Sequence, residues 1–211
     1  MSMEPRRATA AEVYQSIKAD ILRGVFLAGE RLDPRGLAEM TASSASTVHM
    51  VLGRLAVEHL LLSLPGEGFH MPFLNEAALR GTYRWMCKIA HVALDLAVED
   101  PIDDARGSPP TIIVAKNDPD VLATEQFFAC LAARTEIADV KFAMAQTNDR
   151  LHALRRLEKR LIPDGLSEIK AMSTLLAQEE HSALRSALEQ YRDRRLAHVP
   201  ELVRLRHRVR Q

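Results

Sequence analysis

Between Leu37 and Leu55 the chain reads LAEMTASSASTVHMVLGRL, a stretch with the length and apolar spacing of two short helices joined by a tight turn. Val48, Val51, Leu52 and Leu55 repeat at i, i+3, i+4 and i+7, the seam of an amphipathic helix. Leu37, Ala38 and Met40 give a shorter preceding helix one side to bury. Thr41-Ala42-Ser43-Ser44 separates the two, and Ser44 is suited to cap the second helix by accepting from an otherwise orphaned backbone N–H. The second helix then has one anchored face and one free face, which begins at Ala45, Ser46 and His49. In a helix-turn-helix those first residues meet base edges in the major groove while the first helix crosses the phosphate backbone. The pattern therefore points to double-stranded DNA as a partner.

The flanks extend the unit. Val13, Ile17 and Ile21 form a helical stripe before it, and Leu60 to Leu64, a Pro65-Gly66-Glu67-Gly68 turn and Phe69 to Met71 read as a β-hairpin after it. Three helices plus a hairpin make a winged helix, expected over residues 9–73. The run Ile21-x-x-Gly24, Ala28-Gly29-Glu30-Arg31-Leu32, Leu37-Ala38-Glu39, Ser44, Val48, Leu52-x-x-Leu55 and Gly68 resembles the DNA-binding domain of the GntR superfamily, ungapped through the recognition helix. That resemblance implies DNA contacts from Arg35, Ser44, Ala45, Ser46, Thr47 and His49, with Gly66 and His70 at the wing.

The chain also departs from the family pattern. Ala45 and His49 occupy positions where the family usually carries arginines, Glu67 sits where the wing is commonly basic, and Ala42 replaces the usual turn glycine. Residues 1 to 72 hold seven Lys/Arg against eight Asp/Glu, so this half is not basic. Phosphate neutralisation supplies nearly all non-specific affinity, and a bidentate arginine contributes about 1 to 3 kcal/mol of discrimination at guanine. Modest affinity with a shallow salt dependence is expected. A regulator-derived protein acting through protein partners is the alternative.

From Asn75 the pattern changes to long stripes of period 3.6, the first being Leu79, Tyr83, Met86, Ala90, Ala93, Leu94 and Ala97. Asp103 to Asp118, with Gly107, Pro109 and Pro110, reads as a loop containing one apolar patch, Ile112-Ile113-Val114. Further stripes run through Val121, Leu122, Phe128 and Leu131, then Ile137 to Leu161, then Leu166 to Tyr191, and Pro200 suits the first turn of a last helix. The expected fold is mainly α, a winged helix-turn-helix joined to an antiparallel α-helical bundle over residues 74–211.

This combination resembles the FadR branch of the superfamily, whose C-terminal domain binds an effector and dimerises. Glu180-His181-x-x-Leu184-x-x-Ala187-Leu188 is the clearest fragment, with Arg84 and Thr124-x-x-Phe127-Phe128-x-x-Leu131 as fainter ones. The resemblance implies a homodimer and a small-molecule effector near Arg84, Phe128 and His181. Many members hold a divalent metal through an Asp and a His four residues apart. Here those positions are Thr124 and Phe128, so neither metal nor other cofactor is expected. His91 and Asp95 share that spacing but read as surface or hydrogen-bonded residues, and Met86, Met144 and Met172 as core filler.

At 211 residues, 47% apolar and 27% charged, the chain is long enough for two cores and ordinary for a soluble globular protein. No apolar run nears the roughly 18 residues that span a bilayer, so a cytoplasmic protein without membrane contact is expected, with Cys87 and Cys130 reduced. Residues 150 to 211 carry fourteen basic against eight acidic side chains, densest at Arg204 to Arg210, and read as a solvated helical face. No glycine-rich phosphate loop, nucleophile elbow or zinc spacing supports an enzyme.

Overall fold

Among the described residues four helix ends stop by the same device, at Gly24, Ala42, His59 and Glu179, and the first three belong to the N-terminal unit. The computed structural model describes residues 6–99 and 118–208. The expected loop from Asp103 with its Ile112 to Val114 patch, and the side chains from His207 onward, lie outside them. The chain divides into two compact units, Met1–Leu74 and Asn75–Gln211.

In the first unit, α1 (Ala10–Arg23) opens on a capping box: Thr9 Oγ1 accepts from Glu12 N–H at 3.3 Å, and Thr9 N–H donates to the Glu12 carboxylate at 2.7 Å. It closes at Gly24, whose φ of 74° lets Val25 N–H turn back to the Asp20 carbonyl, the hydrogen-bond pattern of a Schellman motif. After the short strand β1 (Arg31–Leu32), Asp33 caps α2 (Pro34–Met40), with Pro34 at the first helical position where its missing N–H costs nothing. Ser44 caps α3 (Ala45–Val57), accepting from Thr47 N–H at 3.1 Å.

Strands β2 (Leu62–Leu64) and β3 (Gly68–His70) form the wing hairpin, with Ser63 opposite Phe69. Pro65 and positive-φ Gly66 hold the second and third positions of its turn, as a type II turn requires, and Glu67 N–H closes it on the Leu64 carbonyl at 3.1 Å. β1 adds a third antiparallel strand, giving the order β1-β3-β2. Val13, Ile17 and Ile21 of α1, Leu37 and Ala38 of α2, Val48, Val51, Leu52 and Leu55 of α3, and Phe69 of the middle strand share one buried core. The stripes predicted from periodicity are the ones that pack, except that Met40, expected on the buried side of α2, is 72% exposed.

The second unit is helical throughout its described residues: α4 (Glu76–Glu99), α5 (Pro119–Ala133), α6 (Ala138–Glu158), α7 (Gly165–Ala177) and α8 (His181–Arg208). α4 packs on α5, α6 and α8, α5 on α6 and α7, and α8 on α6 and α7. Met86, Met144 and Met172 are buried, as filler should be.

Two expectations need correction here. The stripe from Leu166 to Tyr191 is not one helix. It breaks where Glu179 adopts φ 59° and Glu180 N–H returns to the Leu175 carbonyl, another Schellman stop. Pro200 does not begin a helix but lies inside α8. A proline there leaves the carbonyl four residues back without its helical donor. That carbonyl, on Leu196, accepts instead from Arg80 Nη1 of α4 at 2.9 Å.

Candidate nucleic-acid interface

The turn between α2 and α3 is built by backbone geometry more than by side chains. Ala42 sits at φ 48°, and Ser43 N–H bonds the Ala38 carbonyl at 2.9 Å, closing α2 with a Schellman motif that aims the chain into α3. Ser44 then uses its hydroxyl to cap α3, and also meets the hydroxyls of Ser46 and Thr47, each at 2.8 Å. Ser44 is therefore tied into the helix start, while Ala45, Ser46 and His49 are exposed beyond it.

The exposed stripe of α3 continues through Met50, 60% exposed, to Val57. The helix's one cation, Arg54, stands exposed at the edge of that stripe, one turn after Met50, and is tied back by its neighbours. Its Nε donates to Glu58 at 3.1 Å and its guanidinium lies 4.0 Å from the Tyr14 ring centre. Glu58 is buried and takes further bonds from Tyr14 Oη, at 2.7 and 2.8 Å, and from Lys18 Nζ at 3.3 Å. Burial alone would push the Glu58 carboxyl up, but the Tyr14 hydroxyl and the Lys18 and Arg54 charges outweigh it and hold the group below the usual carboxylate range. This network locks α3 to α1.

At the edges of the stripe, Arg35 is exposed at the start of α2. Asp33 accepts from the backbone N–H groups of Gly36 and Arg35, and these bonds draw its carboxyl below the ordinary value. Gly66 is at the wing tip with open space around it. His70 is half-buried, its ring nitrogens 3.4 Å from the Gly29 carbonyl and 3.3 Å from that of Glu67, so it braces the wing from inside. Arg31, part of the family pattern but not among the DNA contacts it implies, is exposed on β1 with its guanidinium beside Gly68. Its signal was present: a basic residue two positions before the α2 cap.

In the helical unit the three proposed effector residues do not line one cavity. Arg84 is exposed, because the buried stripe of α4 runs through Tyr83, Met86, Cys87 and Ala90 and a 100° step from Tyr83 carries Arg84 outward. Phe128 is wholly buried between Phe127 and Tyr191, with ring centres at 5.1 and 5.3 Å. His181 is half-buried in the first turn of α8.

The buried charges are elsewhere. Glu125 meets His152 Nδ1 at 2.9 Å and Arg155 at 3.3 Å, and Arg155 also donates to Asn148 Oδ1 at 2.9 Å. Arg195 donates to Glu158 at 3.2 Å and to Glu168, and stacks 3.5 Å from the Tyr191 ring centre. Both arginines border a cleft of about 30 Å³, with Asp120, Thr124, Glu158 and Lys159 among its walls. That is room for about one water. Asn148, His152, Arg155 and Glu158 fall at i, i+4, i+7 and i+10, on the same face as Leu151 and Leu154, so polar residues recurring at helical spacing on an apolar face were the signal. Among the described residues no group of three or more His, Cys, Asp or Glu is arranged to hold a metal ion.

Residues 9–71 match the model of the bacterial regulatory proteins of the gntR family. They form a GntR-family helix-turn-helix domain. E. coli McbR/YncC is similar in structure over 93% of this chain and 99% of its own, at 16% identity and a TM-score of 0.66. A GntR transcriptional regulator from Rhodococcus sp. RHA1 is similar over 91% of this chain and 97% of its own, at 17% identity and a TM-score of 0.64. At such identities the likeness is one of fold: a GntR winged helix followed by an all-helical unit. No curated protein matches the chain. Among the described residues no helix is long and apolar enough to cross a membrane.

Proposed function

We propose that this protein is a DNA-binding transcription regulator of the FadR-like branch, a homodimer whose two α3 helices read half-sites of a pseudo-palindromic operator. The observation that carries the reading is the exposed face of α3 on a GntR-family domain, braced from behind by the Glu58 network. Ser46, Thr47 and His49 are its base or phosphate contacts on α3, with Arg35, Arg31 and the Gly66 turn on the backbone to either side. The helical unit dimerises and tunes operator occupancy by binding a small molecule.

A hydroxyl-radical footprint of the purified protein on the intergenic duplex beside its own gene tests this. Two protected patches about one helical turn apart, or a multiple of it, are expected for a dimer. An unprotected duplex would remove the reading. It would favour action through protein partners, which the charge balance of residues 6–74, seven basic against seven acidic side chains, also fits.

A further inference from the structure

The exposed stripe of α3 lacks every side chain that usually reads guanine, adenine or cytosine by hydrogen bonding. Guanine is read by a bidentate Arg or Lys, adenine by Asn or Gln, and cytosine by Asp or Glu. The stripe offers Ala45, Ser46, His49, Met50, Gly53 and Val57. Arg54, exposed and about 40° round the helix from Met50, is held at the edge of the stripe by Tyr14 and Glu58, and Glu58 is itself buried. His49 has its ring set edge-on against Phe69 at 5.1 Å, so its reach is fixed by the wing. Of the direct contacts available in the major groove, what remains is hydroxyl and single imidazole bonding together with apolar packing, and the apolar feature of a base edge there is the thymine 5-methyl group.

We propose that Ala45 and Met50 are specificity-determining residues that read thymine methyl groups, so that each operator half-site is centred on thymines and not on the guanines that recognition-helix arginines would select. The inference rests on the DNA-binding reading above. Met50 supplies a flexible, polarisable chain that stands 60% exposed with no core role, and such a side chain adapts to a methyl surface. Ala45, in the first turn of α3 and about 140° round the helix from Met50, allows the helix to approach closely at its start.

The test uses the full-length protein and a random-sequence duplex pool. The enriched duplex is resynthesised with deoxyuridine replacing thymidine one position at a time, which removes the methyl and leaves base pairing intact. At one or more thymines of each half-site, binding should weaken about fourfold, the effect of exposing one buried methyl group. The Met50→Ala variant should bind the thymidine and deoxyuridine duplexes alike at the position Met50 covers. Enriched half-sites dominated by guanine, with no effect of deoxyuridine at any position, would overturn the inference and leave the DNA-binding reading standing. A pool that yields no enriched duplex would overturn both.

Discussion

The His49 imidazole stands edge-on to the Phe69 ring, with centres 5.1 Å apart and planes at 74°. Phe69 is buried in the middle strand of the wing sheet, whereas His49 is exposed on the recognition helix. One contact thus sets, from inside the core, the orientation of the ring proposed to meet DNA. His49→Ala and Phe69→Leu should therefore couple in DNA binding by about 1 kcal/mol, the worth of an aromatic pair beyond its area. A double-mutant cycle by fluorescence anisotropy measures this, and additive effects would mean that Phe69 does not position His49.

Glu58 is the electrostatic hub of the first unit, and its lowered carboxyl pKa has a signed consequence. A group whose folded value lies below its unfolded one, about 4.3 for Glu, contributes stability that is fully present above the unfolded value and is lost as pH falls through the folded one. Glu58→Gln should cost about 2 kcal/mol at pH 7, the range for hydrogen bonds to a charged group, and progressively less toward pH 3. Hydrogen exchange of α1 and α3 amides at the two pH values reads the difference. A cost that does not change with pH would exclude ionised Glu58 as the source.

Ala42 closes α2 at φ 48°, a conformation that strains a residue with a Cβ. Ala42→Gly should stabilise the winged helix by about 1 kcal/mol, the relief of the left-handed strain partly offset by glycine's greater unfolded-state entropy. Urea unfolding monitored on this unit would show it as a higher midpoint at unchanged slope. A lower midpoint would mean that the Ala42 methyl makes contacts worth more than the strain.

The first unit was legible in the sequence because its elements announce themselves locally. Ser44, Gly24 and Pro65-Gly66 are caps and turns whose chemistry depends on neighbours a few residues away, and the 3.6-residue stripes of α1 and α3 fixed what packs. The two-residue strand β1 was not legible, since Arg31 and Leu32 become a strand only by pairing with His70 and Phe69. In the helical unit, periodicity gave the helices but ran α7 into α8, because the break at Glu179 is made by a non-glycine residue in the left-handed region. The buried Arg155 and Arg195 clusters escaped because their partners come from different helices: Glu125 on α5 for one, Glu158 on α6 and Glu168 on α7 for the other. Pairing at that range leaves no local trace.

Pro200 and Arg80 give the sharpest test of the helical unit. The proline frees the Leu196 carbonyl and Arg80 satisfies it from another helix. In the wild type, Arg80→Met should cost about 1 kcal/mol, since it removes the donor of a part-buried carbonyl. In Pro200→Ala, where the backbone N–H of residue 200 can return to Leu196, the same change should cost less, and Pro200→Ala itself should not destabilise. Thermal unfolding of the four proteins yields the coupling; equal costs in both backgrounds would show that Arg80 acts elsewhere.

The central claim is that α3 reads DNA sequence with few phosphate contacts. Its most direct test is fluorescence anisotropy of the full-length protein on the intergenic duplex beside its own gene and on a scrambled duplex, each titrated from low to physiological salt. Binding to the intergenic duplex should be about a thousandfold tighter than to the scrambled one, with a salt slope below that of about six phosphate contacts per protomer. Equal affinity for the two duplexes, or a slope steeper than that, would contradict it.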